Sequence, residues 1–347
     1  MERPLMKWIA VSALVVSLSG CAVQGGTAPS SMELPALTPA ALGTGERLRV
    51  VATTTLVGDV VAQVGGEYID LTTLMQPGQD PHSYEPAAAD LALMREADVV
   101  FVNGLDFEEG LMASLDAIRA DVPVVPVSAG VDVIEGGDEH EHADEGEHAG
   151  DDEHEHEHAG DDEHEHEHAG GDPHVWQDPR NVMIWTQNIA SALTQLDPAH
   201  AEAYRANAAT YEAMLESLDE HIRDQVERIP AENRKLVTNH DTFAYFARAY
   251  GFEVIGTVLV GASEVAEPSA GQIAALVEAI NQANVPAIFV ETTINDRLAQ
   301  IVAEETGRDI RVLTLYTDSV GLPGSGAETY LDMMRANVAT LVEGLAP

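Results

Sequence analysis

Two kinds of pattern alternate along this chain: short aliphatic, β-branched runs, and stretches in which apolar positions recur every three or four residues. Leu48–Thr53, Ile69–Met75, Asp98–Asn103 and Pro123–Val127 read as strands, with helices over Leu56–Val64, Ala87–Glu96 and Glu108–Ala120 between them. A second set follows later, with strands at Lys235–Asn239, Glu253–Val258, Ala287–Val290 and Ile310–Leu315. Its helices fall at Thr242–Tyr250, Ser269–Ala283 and Asp296–Thr306. Strands bounded by turn residues and separated by helix-length segments predict parallel sheets with crossover helices. The expected fold is therefore α/β: two four-stranded parallel-sheet lobes.

Between the two sets lies the strongest helical periodicity. Asp197-Pro198 supplies an N-cap and a proline at the first helical position. Tyr204, Ala208, Tyr211, Leu215, Leu218, Ile222, Val226 and Ile229 then form one apolar stripe that Pro230 closes. A helix over 198–229 would be on the order of 45 Å long. Joining the lobes by such a rod, rather than a glycine-rich linker, predicts limited lobe motion. The resulting organisation is a leader at 1–20, a tether at 21–46, a first lobe at 47–197, the linker helix, and a second lobe at 230–347.

Charge and composition narrow the partners. The 347 residues carry a formal charge of −42. Eighteen acids lie between Glu135 and Asp172, and the remainder still holds 41 acids against 17 bases. Nucleic acid is excluded as a partner, because phosphate recognition needs clustered lysine and arginine. Arg3 and Lys7 followed by the apolar stretch Trp8–Leu18 make a targeting segment too short to span a bilayer. Leu18-Ser-Gly-Cys21 resembles a bacterial lipobox, which makes Cys21 a lipid attachment point holding the chain to a membrane surface. Cys21 is the sole cysteine, so neither an intrachain disulfide nor a thiolate zinc site can form. Residues 22 to about 46 have a tether's composition.

The tract from Asp138 to His168 holds nine of the fourteen histidines and no lysine or arginine. His148–Glu157 reads HAGDDEHEHE, and His158–Glu167 repeats it. A core cannot form from this composition, so disorder over 135–171 is expected. Imidazole and carboxylate bind divalent metals. His140, His142, His148, His154, His156, His158, His164, His166 and His168 are therefore candidate low-affinity metal ligands.

Ligands of parallel α/β sheets bind beyond the carboxyl ends of the strands, which selects four residues for a tight site. His82 lies in a proline-rich loop after the second strand, and His174 follows the tract in Asp172-Pro-His. His240 comes directly after a strand, and Asp318 follows the last one. Two donors from each lobe would place a cation in the cleft. Asp178 and Asp241 are candidate carboxylates for orienting an imidazole. Glu291 ends a strand near the same place, where a supporting role is expected. His200 and His221 read as surface residues.

Pro81-His-Ser-Tyr-Glu-Pro86, Asp172-Pro-His-Val-Trp-Gln-Asp-Pro179, Asn239-His-Asp-Thr-Phe-Ala-Tyr-Phe246, Glu267-Pro-Ser269, Phe289-Val-Glu-Thr-Thr293 and Glu304-Glu-Thr-Gly307 resemble, in that order, the metal-receptor lipoproteins of bacterial ABC importers. The likeness runs from about Leu48 to the C-terminus. It implies two α/β lobes joined by a rigid helix, with zinc or manganese held by His82, His174, His240 and Asp318. Histidine at the third position and a His- and acid-rich loop before the second ligand are features of zinc members, whereas manganese members commonly carry glutamate there. The resemblance further implies a monomer on the outer face of the cytoplasmic membrane, working with a permease and its ATPase.

Three imidazoles and one carboxylate suit tetrahedral zinc, while manganese prefers more oxygen. Each ligand must be deprotonated to coordinate, so acid should release the ion. No GxxxxGK[ST] loop occurs, which leaves the energy source to another chain. A zinc hydrolase is the enzymatic alternative, but it would need an open coordination position for water, and four protein ligands leave none. A surface metal buffer or adhesin is the third alternative.

Overall fold

In the computed structural model, residues 34–135, 171–259 and 268–347 are described. The first lobe contains β1 (Leu48–Ala52), α1 (Thr55–Gly65), β2 (Ile69–Thr73), α2 (Ala88–Glu96), β3 (Val99–Val102), α3 (Met112–Ile118) and β4 (Val124–Pro126). The four strands pair in parallel in the order β2-β1-β3-β4, with Val50 opposite both Leu71 and Val99. β3 is buried along its whole length and β1 at all but Arg49. Helices cover both faces of such a sheet, which is why these strands read as continuous apolar runs.

The second lobe contains β5 (Lys235–Thr238), α6 (Ala244–Tyr250), β6 (Glu253–Thr257), α7 (Ala270–Ala283), β7 (Ala287–Glu291), α8 (Arg297–Glu305) and β8 (Arg311–Leu315). All eight expected strands are present, but the second sheet is interrupted. β5 pairs with β6 and β7 with β8, both in parallel, and β5 lies beside β7 without a strand ladder between them. Between Leu236 and Val237 the register shifts by one, leaving Ile255 as an extra residue in β6. Beyond the end of β5, the backbone N–H of His240 donates to the side chain of Glu291 rather than to a backbone carbonyl.

Two helices absent from the sequence reading close the structure. α4 (Pro179–Leu196) begins with Asp178, whose side chain accepts from the Arg180 N–H. It buries Val182, Trp185, Ile189, Leu193 and Leu196 at helical spacing. α9 (Tyr330–Leu345) is capped by Thr329 and buries Tyr330, Met333, Met334, Val338, Leu341 and Leu345. The long helix α5 (Ala201–Val226) is 26 residues, about 39 Å. It buries the expected stripe and packs against α4, α1 and α9. Its start differs from expectation, because Pro198–His200 form a separate 3-10 turn. Instead of capping the helix backbone, the Asp197 carboxylate accepts from the Tyr204 hydroxyl at 2.9 Å and pairs with His200 Nδ1 at 2.6 Å.

Residues 34–46, expected within the tether, lie on the body: Ala40 N–H donates to Leu196 O, and Leu37 and Leu42 pack on the core. On either side of the His-rich tract, Asp172 N–H donates to Ile134 O at 2.9 Å, so its flanks meet. Tyr245 of α6 fastens this junction, its hydroxyl accepting from Ile134 N–H at 3.0 Å and donating to Asp172 O at 2.8 Å.

Truncating the buried stripe of α5 should destabilise the whole body. Leu215→Ala is expected to cost roughly 2–5 kcal/mol in urea unfolding. The same change at Met214, which is 45% exposed, should stay within about 0.5 kcal/mol.

Candidate metal centre

Two of the four candidate residues are presented by the same local device. In Asp80-Pro81-His82 and in Asp172-Pro173-His174, the aspartate Oδ1 accepts the backbone N–H of the histidine two residues on, at 2.9 Å in both. Proline between them fixes φ, so the turn is short and stiff. The second carboxylate does more. Asp172 Oδ1 also lies 2.8 Å from His174 Nδ1. Asp80 instead uses Oδ2 to accept from Ser83 Oγ at 2.7 Å.

His240 is set from within its own lobe. Glu291, at the end of β7, places Oε1 2.8 Å from His240 Nδ1 and 3.2 Å from its backbone nitrogen. Glu291 Oε2 accepts from Thr317 Oγ1 at 2.6 Å. Asp318 follows one residue later, beyond β8, and is buried like the three histidines.

The structure brings all four side chains to one point. Their potential ligand atoms lie within 4.8 Å of one another. His174 Nε2 is 3.4 Å from His82 Nε2 and 3.2 Å from His240 Nε2. Asp318 Oδ2 is 3.5 Å from His240 Nε2 and 3.9 Å from His82 Nε2, and Oδ1 is 3.9 Å from His174 Nε2. Four ligands at ~2.0–2.1 Å around a tetrahedral ion would stand about 3.3–3.4 Å apart, the spacing His174 already has to both His82 and His240. The carboxylates behind His174 and His240 favour a proton on Nδ1, which turns the Nε2 lone pairs inward. Asp318 Oδ1 is buried with no hydrogen-bond donor among the described residues. Facing lone pairs and a buried carboxylate are unfavourable together unless a cation or a proton sits between them.

Charge in the metal-free cluster follows from this. Burial pulls the His240 imidazole down, but the Glu291 and Asp318 carboxylates, with the Glu291 hydrogen bond, outweigh it and lift the group to about 10. Burial raises the Asp318 carboxyl to about 6, with His240 opposing and Glu291 adding. A proton on His240 thus balances the carboxylates when no metal does so.

Of the three carboxylates expected in a supporting role, Glu291 is the one that orients an imidazole. Asp178 caps α4 and pairs with Arg180 at 2.6 Å, and Asp241 has no hydrogen bond to an imidazole ring. Asp172 and Glu291 do this work. The Asp-Pro-His motif could have pointed to Asp172; the strand end pointed to Glu291, and tertiary structure supplied its partner, His240.

Glu108 was also unread. It is fully buried, and burial lifts its carboxyl against the hydrogen bonds it accepts from Thr53 Oγ1 and Asn103 N–H, both at 2.6 Å, and Gly104 N–H at 3.3 Å. These bonds hold the left-handed turn Gly104-Leu105-Asp106. That turn delivers Phe107 against His82, with ring centroids 4.9 Å apart. The expected helix over Glu108–Ala120 correspondingly starts late, as a 3-10 turn and then α3. His200 is half-buried on Asp197 and Tyr68, away from the cluster. Cys21 and the nine tract histidines lie outside the described residues.

Comparison with known proteins points the same way. Residues 50–344 match the family described as "Zinc-uptake complex component A periplasmic". The chain is 38% identical over 307 residues to the "Manganese-binding lipoprotein MntA" of Halalkalibacterium halodurans, covering 87% of this chain and 90% of that one. It is 32% identical over 310 residues to the manganese ABC transporter substrate-binding lipoprotein PsaA of Streptococcus mitis, with 87% and 90% covered. Among solved structures, the periplasmic zinc binding protein TroA from Treponema pallidum superposes with a TM-score of 0.73 at 29% identity. That match covers 87% of this chain and 100% of TroA's.

The charge balance at His240 has a measurable consequence. Its raised pKa contributes stability that is complete below about 6.5 and is lost as pH rises through about 10. Histidine-selective NMR of the metal-free protein should show the His240 ring still protonated at pH 8. In Glu291→Gln it should titrate at least one unit lower, and the alkaline loss of stability should shift with it.

Proposed function

The chain belongs to the zinc-uptake complex component A family, and from that premise we propose that it is an extracytoplasmic zinc receptor delivering Zn2+ to an ABC-type importer. Membership makes it a substrate-binding component of a metal transporter and not an enzyme. The observation that carries the zinc reading is the convergence of three imidazole Nε2 atoms and one buried carboxylate. This borderline donor set and its spacing suit a four-coordinate ion with nothing left over for a catalytic water. His82, His174, His240 and Asp318 are the proposed ligands.

Manganese is the second reading. It is favoured by the relatives named for manganese at 38% and 32% identity. Asp318 also points both oxygens toward the cluster, at 3.5 and 3.9 Å from imidazole nitrogens. Bidentate binding would raise the coordination number, as manganese prefers.

Calorimetry of the metal-free protein with each ion, followed by competition between them, decides the question. One equivalent of zinc should bind and resist displacement by a tenfold excess of manganese. His240→Ala should weaken zinc by at least 100-fold, whereas His200→Ala should leave it unchanged. Displacement of zinc by equimolar manganese would select the second reading, and equal losses in the two variants would refute the ligand set.

A membrane permease and its ATPase are the proposed partners. Lipidated Cys21 is the proposed anchor, holding a monomer on the outer face of the cytoplasmic membrane. The Leu18-Ser-Gly-Cys21 motif supports this, and among the described residues no helix is long and apolar enough to cross a bilayer. The nine tract histidines are proposed as weak zinc sites that raise the local metal concentration. Support comes from the flank of the tract, where Asp172 both pairs with Ile134 and holds His174. Deleting 135–171 should remove the weak equivalents from a zinc titration and leave the tight one. Unchanged stoichiometry would end the idea.

A further inference from the structure

Beside the metal cluster, a buried hydrogen-bond cycle joins the two lobes through residues that contribute no ligand. Thr55 is the first residue of α1, at the end of β1. Ser319 directly follows Asp318, and Gly78 lies in the loop that carries His82. Thr55 Oγ1 is 3.2 Å from Ser319 Oγ and accepts Val320 N–H at 3.1 Å. Ser319 Oγ accepts Gly78 N–H at 2.9 Å and donates to Val320 O at 3.1 Å. One assignment uses every proton: Val320 N–H to Thr55, Thr55 O–H to Ser319, and Ser319 O–H to Val320 O. Gly78 N–H completes the acceptor capacity of Ser319. Both hydroxyls are buried, so parting them without water would orphan two backbone donors. Gly78 is held in a left-handed turn at φ +87, a conformation that favours glycine, so its N–H presents itself to Ser319 without rearrangement.

Three of these bonds cross from one lobe to the other, and they tie the two loops that bring His82 and Asp318 together. Those loops must separate for an ion to leave. We propose that Thr55, Ser319 and Gly78 form a kinetic latch, positioning the His82 loop against the Asp318 loop and setting the rate of metal release. This rests on the reading of the four-residue cluster as the metal site. The hydroxyls position ligands and do not touch the ion, so their removal acts on escape more than on capture.

The test is zinc release from the full-length protein into excess EDTA, followed by stopped-flow tryptophan fluorescence. Trp176 packs against His174 at 5.3 Å between ring centroids and supplies the signal. Ser319→Ala and Thr55→Val should each release zinc about tenfold faster, with association rates within twofold of wild type. Because the two hydroxyls share one network, the double variant should be faster than either single but short of their product. Thr55→Ser, which keeps the hydroxyl, should release at the wild-type rate, and in Ser319→Ala and Thr55→Val any fall in melting temperature should be larger with zinc bound than without. Release within twofold of wild type in both single variants would overturn the latch. So would Thr55→Ser behaving like Thr55→Val, or melting temperatures falling equally with and without zinc. A wild-type chain that takes up neither zinc nor manganese would instead overturn the receptor reading, and the latch with it.

Discussion

Imidazole rings whose outer nitrogens are held by carboxylates have no choice about where their inner lone pairs point. Asp172 behind His174 and Glu291 behind His240 impose that choice here, each at 2.8 Å. The inner nitrogens then face one another at 3.2 Å, with Asp318 closing the cluster. Such a group is electrostatically incomplete. A low-dielectric interior magnifies the cost of facing lone pairs and a buried carboxylate, and equally the gain when a cation enters. The protein holds this incompleteness by rigid means, so that under the proposed metal reading little binding free energy goes into arranging the four side chains.

The rigidity comes from where each donor is mounted. Every one of the four sits just beyond the C-terminal end of a strand or in a loop clamped by a short Asx turn. Behind them, α5 packs on α1, α4 and α9. α9 returns from the second lobe to meet the first, where Asp59 accepts the Tyr330 N–H at 2.9 Å. Tyr330 and Trp176 complete the tie, with Tyr330 Oη donating to Trp176 O and Trp176 Nε1 to Thr317 O. Two helices and a buried aromatic strut therefore span the junction, and a wide hinge opening would have to break several buried contacts at once. Small separations of the loops that carry the four side chains are the motion this architecture leaves available.

The tract between Ile134 and Asp172 enters the same logic from the side. Its flanks meet in one backbone hydrogen bond fastened by Tyr245, and Asp172 is also the residue that orients His174. A strongly acidic, histidine-rich insertion thus departs from and returns to a point that is structurally continuous with the cluster. Its charge is of the sign that attracts divalent cations.

Sequence periodicity was enough to place all eight strands, the buried stripe of α5 and the alternation that makes an α/β fold, because these depend on residues a few positions apart. Asp-Pro-His, being local, announced two of the four converging side chains, and the strand ends pointed to the other two. The stripes of α4 and α9 were present in the sequence, as Val182, Trp185, Ile189 and Leu193 show, but went unread. What no local pattern could supply was proximity across the chain. The carboxylate at Glu291 reaches His240 across 51 positions, and Thr55 meets Ser319 across 264. Glu108 stabilises a left-handed turn whose necessity only the packing of Phe107 reveals. The gap between β5 and β7 is of the same kind, since strand pairing depends on register between distant segments. Sequence determined which elements form and which side chains their ends carry. Tertiary structure alone decided which charges face each other, because Coulomb and hydrogen-bond energies depend on distances that chain separation does not encode.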